Sequence, residues 1–219
     1  MTKRILKLCS HLHKAKVFAD IGCDHGYCTQ YALQNGLCGR AYISDISAGS
    51  LEKAKTLLKE YIEKGSCIPV CADGLDGIKE PCDLVLIAGM GGEEIVRILS
   101  RVPLPKSFVL QPMKNSEKVR EYLLSRGAKV TADYTFRDGK YYDVITGNAA
   151  GGDGYTEYEI MFGRDNLKNP SEDFLNKMRE EHAKMRRRLT AKMNGASRAE
   201  LLERLRYYEE VINVFEYDI

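Results

Sequence analysis

The chain has 219 residues, with 33 basic and 31 acidic side chains and a net charge of +2. A chain of this length closes a core without metal or disulfide staples and makes one or two domains. Its 44% hydrophobic content excludes a wholly disordered polymer, and its longest apolar runs, such as residues 84–88, are too short to span a bilayer.

In chain order, residues 3–13 read as a short helix with Ile5, Leu8, Cys9 and Leu12 on its apolar side. Residues 17–22 read as a buried strand ending in a glycine turn. Residues 27–34 form a helix stopped by Asn35 and Gly36. A strand over 40–46 leads to one long helix over 47–64, with Leu51, Ala54, Leu57 and Leu58 at helical spacing. Strands then follow at 68–71 and 82–88, a helix at 93–100, a strand at 107–111 and a helix at 116–125. This alternation predicts βαβ units around a mostly parallel sheet.

The pattern then changes. Two strand-like runs, 128–136 and 140–146, flank Arg137-Asp138-Gly139, a hairpin signal. The expectation is a Rossmann-like, doubly wound, seven-stranded α/β sheet closed by an antiparallel hairpin. Residues 155–163 read as a further extended segment. From Ser171 the strands stop: residues 171–193 read as one helix, broken at Asn194-Gly195. Ser197-Arg198-Ala199-Glu200 then reads as a capping box opening a second helix. Two domains are expected, 1–165 for the sheet and 166–219 for an α-helical hairpin.

The seven cysteines are odd in number and contain no CxxC, and the histidines do not cluster. Reduced thiols and no metal are expected. The segment after Met1 lacks the apolar stretch of a secretory signal. A cytoplasmic chain without a membrane partner is the corresponding expectation.

The chemistry concentrates where strands end. The first strand runs out in Asp20-Ile21-Gly22-Cys23-Asp24-His25-Gly26. Glycine there lets backbone turn tightly and approach a ligand. Asp24 stands where a pyrophosphate loop keeps a small residue. A carboxylate at that place repels a diphosphate and attracts a cation, which favours S-adenosylmethionine, with its sulfonium and ammonium, over a nicotinamide dinucleotide. The second strand ends Ser44-Asp45-Ile46, and Asp45 lies 25 residues after Asp20. An acid there accepts ribose hydroxyls in adenosine-cofactor folds, or is simply a helix cap. The third strand leads to Ala72-Asp73-Gly74-Leu75, where Asp73 either accepts from an adenine amine or makes a plain turn. The fourth ends Ala88-Gly89-Met90-Gly91-Gly92, bringing backbone close to a ligand, with Met90 able to pack on a base. The fifth ends Leu110-Gln111-Pro112-Met113 at the same edge.

Taken in this order, these segments resemble bacterial tRNA (adenine-22-N1)-methyltransferases, over about residues 1–165. The resemblance implies a Rossmann-like transferase domain, a C-terminal coiled-coil-like helical domain, S-adenosylmethionine as methyl donor, and tRNA as substrate. It places Gly22, Asp24 and His25 in the cofactor loop and Asp45 at the ribose acid. It places Asp73 and Gly74 in the adenine segment and Gly89, Met90 and Gly91 in the Gly-Met-Gly-Gly loop. Asp20 and Ile46 complete the candidate cofactor set. Cys23, Gly26 and Met113 depart from the family's usual residues; Met113 stands where a polar residue is usual.

Adenine N1 reacts through its lone pair only when the base is unpaired or flipped out. Asp24 is the candidate to balance the positive charge formed there, or it binds the cofactor amine or caps the next helix. Residues 177–206 hold ten Lys and Arg against four Glu, densest around Lys184, Arg186, Arg187 and Arg188. That stripe either tracks tRNA phosphates or is a solvated helix face. Competing readings are a methyltransferase for a small metabolite and a non-catalytic RNA-binding module on the same fold.

Overall fold

In the computed structural model, residues 1–152, 154–189 and 193–217 are described. Seven strands form one sheet in the order β3-β2-β1-β4-β5-β7-β6. These are β1 (Ala15–Ile21), β2 (Cys38–Asp45), β3 (Cys67–Cys71), β4 (Leu84–Met90), β5 (Ser107–Pro112), β6 (Lys129–Asp138) and β7 (Lys140–Asn148). The first five are parallel, while β7 runs antiparallel to both β5 and β6. The strand order reverses between β1 and β4, so the carboxyl ends of these strands frame the crevice in which open α/β sheets bind ligands.

The central strands are apolar in nearly every position because both faces of the sheet are covered. Ala19 and Ile21, Val85 and Ile87, and Phe108 and Leu110 face one layer. There they meet Ile95, Ile98 and Leu99 of α5 (Gly92–Ser100) and Val119 and Leu123 of α6 (Ser116–Ser125). Phe18, Leu84, Leu86 and Val109, one residue out of phase, face the other layer. Their partners are Leu8 and Cys9 of α1 (Lys3–Cys9) and Cys28 and Ala32 of α2 (Tyr27–Gln34).

Several predicted elements differ. The first helix stops at Cys9, with Ser10 as its cap, rather than running to residue 13. The helix expected over 47–64 is two, α3 (Ala48–Leu57) and α4 (Lys59–Glu63). Leu58, fully buried, leaves helical geometry at φ −102°, ψ 14° between them. The segment expected to be extended at 155–163 is helical instead: α7 (Glu157–Phe162), with α8 (Arg164–Lys168) after it. Thr156 and Glu159 form a reciprocal capping box that opens α7. Helix α9 (Glu172–Arg188) ends at Arg188, with Leu189 as its cap; residues 190–192 of the predicted helix lie outside the described residues. The capping box placed at Ser197 does not form. Helix α10 (Gly195–Tyr217) already contains Ser197, whose N–H donates to Asn194 Oδ1 at 2.8 Å, so Asn194 is the cap.

Phe174, Met178 and Met185 of α9 pack with Leu205, Tyr208 and Val211 of α10 and with Phe162 of α7. A buried polar cluster fastens the sheet edge beneath them. Arg120 grips Asp133 through Nε and Nη2 at 2.9–3.0 Å and donates to the Ile160 carbonyl at 3.0 Å. Asp143 accepts from Ser116, Thr135 and Lys177, each at 2.6 Å. Burial pushes the Asp143 carboxyl up, but Lys177 and Arg120 outweigh it and hold the group below the ordinary range.

Candidate active site

Three strand ends meet around Ser44, a side chain with no exposed surface on β2. Its carbonyl accepts the N–H groups of Gly22 and Cys23 at 2.8 and 3.2 Å. Its hydroxyl donates to the Gly74 carbonyl at 2.7 Å. The Asp45 carbonyl accepts the Ala72 N–H at 3.2 Å. The loops after β1, β2 and β3 are therefore one hydrogen-bonded unit.

Gly22 needs its missing side chain twice over. Its φ of +68° lies in the left-handed region, and a Cβ there would collide with the Met90 methyl group. Met90 thus brings the end of β4 against the first loop. Gly26, at φ +75°, starts α2, and a Cβ on it would press on Leu58 and Ala54.

Around this bend stand the predicted carboxylates. Asp20 is buried and accepts from Thr29 Oγ1 at 2.8 Å; burial pushes its carboxyl up to about 6 against the opposing hydrogen bonds from Thr29. Asp24 is an L residue held at φ +45°. Its carboxylate faces His25 Nδ1 at 2.8 Å and Lys53 at 3.7 Å. The His25 ring in turn stacks on Tyr27, 3° from parallel with centroids 5.5 Å apart. Asp45 accepts the Ser47 N–H at 2.8 Å and the Asp24 N–H at 3.4 Å. Ile46 beside it is 74% exposed, an apolar side chain at the lip of the crevice.

Asp73 sits differently. Arg97 of α5 grips its carboxylate through two nitrogens at 2.5 and 2.9 Å, and Arg101 adds a hydrogen bond at 3.2 Å. The Arg97 hydrogen bond, aided by Arg101, holds this carboxyl down at about 2. Its side chain is thus spent on arginines, leaving chiefly the Asp73-Gly74 backbone to meet a ligand. Gly89 turns at φ +82° next to Met90, with Arg4 of α1 closing over it.

The profile of a family described as a methyltransferase domain matches residues 1–145. The chain belongs to this methyltransferase family. It is 30% identical over 155 residues to the tRNA (adenine(22)-N(1))-methyltransferase of Bacillus subtilis, covering 68% of this chain and 65% of that protein. It is 36% identical over 121 residues to a protein of Mycoplasma pneumoniae, of which it covers 57%. The aligned part is thus under two thirds of these curated relatives' length. The crystal structure of the B. subtilis tRNA methyltransferase TrmK superposes with a TM-score of 0.86 at 26% identity, covering 97% of this chain and 98% of that one. M. capricolum TrmK, solved with S-adenosylhomocysteine, superposes at 0.88 over 98% of each chain; at 22% identity it speaks for the fold.

The basic residues of the C-terminal helices divide. Lys184 and Arg188 line a cleft of about 650 Å³ together with Lys114, Lys140, Lys177 and Arg204. Glu117, Glu180 and Glu181 lie there too, and Lys184 is paired with Glu181 at 2.7 Å. Pro112 and Met113 form the end of the cleft nearest the sheet's carboxyl edge. Arg186 instead borders a separate recess with Arg179, His182 and Glu209, and Arg187 is exposed. The cluster read as one stripe therefore serves two surfaces. Among the described residues, no group of three or more His, Cys, Asp or Glu could hold a metal ion, and no helix is long and apolar enough to cross a membrane.

Sequence reasoning missed Ser44, Arg97, Arg101 and Arg4. Only Ser44 carried a signal, as a small polar residue inside a buried strand end.

Proposed function

We propose that this methyltransferase moves a methyl group from S-adenosylmethionine to N1 of an adenine in tRNA, the adenine at position 22. The observation that carries the reading is the bend after β1. It offers carboxylates and glycine-opened backbone at one place, which suits a cationic donor and repels a diphosphate. The likeness to the B. subtilis enzyme over nearly the whole length supports the choice of substrate.

The residues fit such a donor. Gly22 leaves backbone bare, Asp20 and Asp24 supply negative charge, and Asp45 with exposed Ile46 suits a ribose and an adenine face. His25, the Asp73-Gly74 backbone, Gly89 and Met90 complete the set. When bound, S-adenosylmethionine supplies a methyl group already activated by the sulfonium. The chain's own task is then positioning and exclusion of water. Met90 packs over Gly22 and walls the reacting space. Methylation leaves the adenine cationic until an N6 proton departs, and the Asp24 carboxylate is the group we assign to stabilise that charge.

The accompanying division is a transferase domain at 1–165 and a helical hairpin at 166–219. Lys184 and Arg188 hold tRNA phosphates along the cleft, with Arg186 and Arg187 contributing from the outer faces. A cytoplasmic location follows from the substrate.

The test is transfer of labelled methyl from S-adenosylmethionine to unmodified tRNA, followed by nucleoside analysis. Label in 1-methyladenosine supports the reading. No label in RNA, with donor binding intact by calorimetry, overturns the substrate assignment; no donor binding overturns the reading as a whole.

A further inference from the structure

Arg4 is fixed from three sides at the tips of β4 and β5. Its backbone N–H donates to Asp138 Oδ2 at 2.8 Å, which pins the first turn of α1 to the β6–β7 turn. Its Nε donates to Gln111 Oε1 at 2.8 Å. Its guanidinium lies over the Tyr142 ring, 5.4 Å from the centroid. Gln111 has no exposed surface, and its amide nitrogen is turned to the Pro112 carbonyl and Met113 Sδ, both at 3.3 Å. That arrangement leaves its oxygen for the arginine. Gly89 makes the room: a Cβ there would lie 2.9 Å from an Arg4 terminal nitrogen.

What Arg4 does not do is equally defined. No acceptor among the described residues hydrogen-bonds its two terminal nitrogens. An arginine so restrained presents a planar fork whose orientation is already set, and such a fork matches two acceptor oxygens on one group. Adenine offers no such pair, since its edges alternate donor and acceptor. A cation beside the reacting ring would also oppose the positive charge that methylation creates there. A phosphodiester beside the extruded base satisfies both conditions; the carboxylate of the methyl donor also carries two oxygens, and the donor-affinity measurement below separates the two.

Resting on the tRNA reading above, we propose that Arg4, oriented by Gln111, binds the backbone phosphate flanking the extruded adenosine and so seats the base at the Gly89-Met90 loop. Arg4 touches substrate; Gln111 is a positioning residue acting through it.

The experiment compares wild type, Arg4→Lys, Arg4→Gln and Gln111→Leu. Steady-state methylation of unmodified tRNA is measured across salt concentrations, with S-adenosylmethionine affinity by calorimetry and melting temperature alongside. For Arg4→Gln, kcat/KM for tRNA falls by about tenfold or more, as removal of one charged hydrogen-bond donor implies. The fall is mainly in KM, donor affinity stays within about twofold of wild type, and the dependence of log KM on log salt becomes shallower by about 0.7–0.9, the share of one phosphate. Arg4→Lys recovers part of kcat/KM and the full salt slope, because a point charge still meets a phosphate. Gln111→Leu raises KM and keeps the slope.

An unchanged salt slope in Arg4→Gln, or a loss of donor affinity equal to the loss of kcat/KM, overturns the assignment. Should Arg4→Gln fail to fold, Arg4→Lys decides: a lysine variant with a shallower slope than wild type also overturns it. If wild type itself methylates no tRNA, the substrate reading has failed and this assignment falls with it.

Discussion

Ser44 and Gly74 are joined by a buried 2.7 Å hydrogen bond that crosses from β2 to the loop after β3. Because the Ser44 carbonyl also holds the Gly22 and Cys23 amides, this one residue sets the spacing between the first and third loops of the crevice. Ser44→Ala removes the donor and leaves the Gly74 carbonyl without its partner. The expected loss is about 1–3 kcal/mol of folding stability. It should read as a lower urea midpoint with an unchanged m-value, together with several-fold weaker S-adenosylmethionine binding by calorimetry. A stability loss with donor affinity untouched would show that the bond supports the sheet and not the site.

Gly22 and Met90 make a second coupled pair. Gly22→Ala meets two obstacles, the Met90 methyl group and a backbone at φ +68°. Crowding costs about 1–3 kcal/mol and the left-handed backbone about 1–2 kcal/mol. Donor affinity in the single variant should fall by at least about fivefold, since about 1 kcal/mol, the low end of either term, is worth that factor. Met90→Ala added to it relieves the collision alone, so stability returns in part and affinity remains below that of Met90→Ala. Full recovery in the double variant would show that the backbone conformation carries none of the cost.

Such pairs also mark what was legible in the sequence. The sheet was, because β1, β4 and β5 are buried on both faces and therefore read as unbroken apolar runs. The end of α2 was, because Asn35-Gly36 is a local stop signal. Helix α7 was not: residues 155–163 read as extended, and the Thr156–Glu159 box that opens the helix emerges only in the structure. Asn194 reads as a helix break and Ser197 as the cap that follows it; the geometry of the turn gives the cap to Asn194 instead. The glycine loops announced the site by composition. Its organisers did not, because Ser44 to Gly74 spans 30 residues and Arg4 to Gln111 spans 107. The Asp73 carboxylate, open between two roles in the sequence, is held by arginines on a helix a full βα unit away.

Asp20 should give the molecule an unusual pH response. Burial raises its folded-state pKa from an ordinary 3.8 to about 6. The folded protein therefore binds this proton more tightly than the unfolded chain, and the carboxylate's ionisation works against folding. Its contribution is most favourable below pH 3.8, declines as pH rises, and is fully lost above about 6. At neutral pH the penalty is up to about 3 kcal/mol. Asp20→Asn keeps an acceptor for Thr29 and removes that penalty, so it should stabilise the protein at pH 7.5 and lose the advantage near pH 4, by denaturant titration. The same variant should weaken S-adenosylmethionine binding, and wild-type affinity should rise with pH through about 6 as the carboxylate ionises. A flat affinity profile across that window would remove Asp20 from the cofactor site.

The division of the C-terminal cations gives the last test. Lys184 and Arg188 face the cleft that opens beside Pro112 and Met113, whereas Arg186 faces the recess with Arg179 and His182. Charge reversal at Lys184 and Arg188 should lower tRNA affinity and flatten its salt dependence by about 0.7–0.9 for each phosphate that is no longer neutralised. Reversal at Arg186 alone should change both far less. Donor binding, measured in parallel, should hold in all variants because these residues lie away from the glycine loops. Nitrocellulose filter binding across salt concentrations separates the surfaces: equal slopes for the two reversals would mean that the nucleic acid follows the outer helix face and not the cleft.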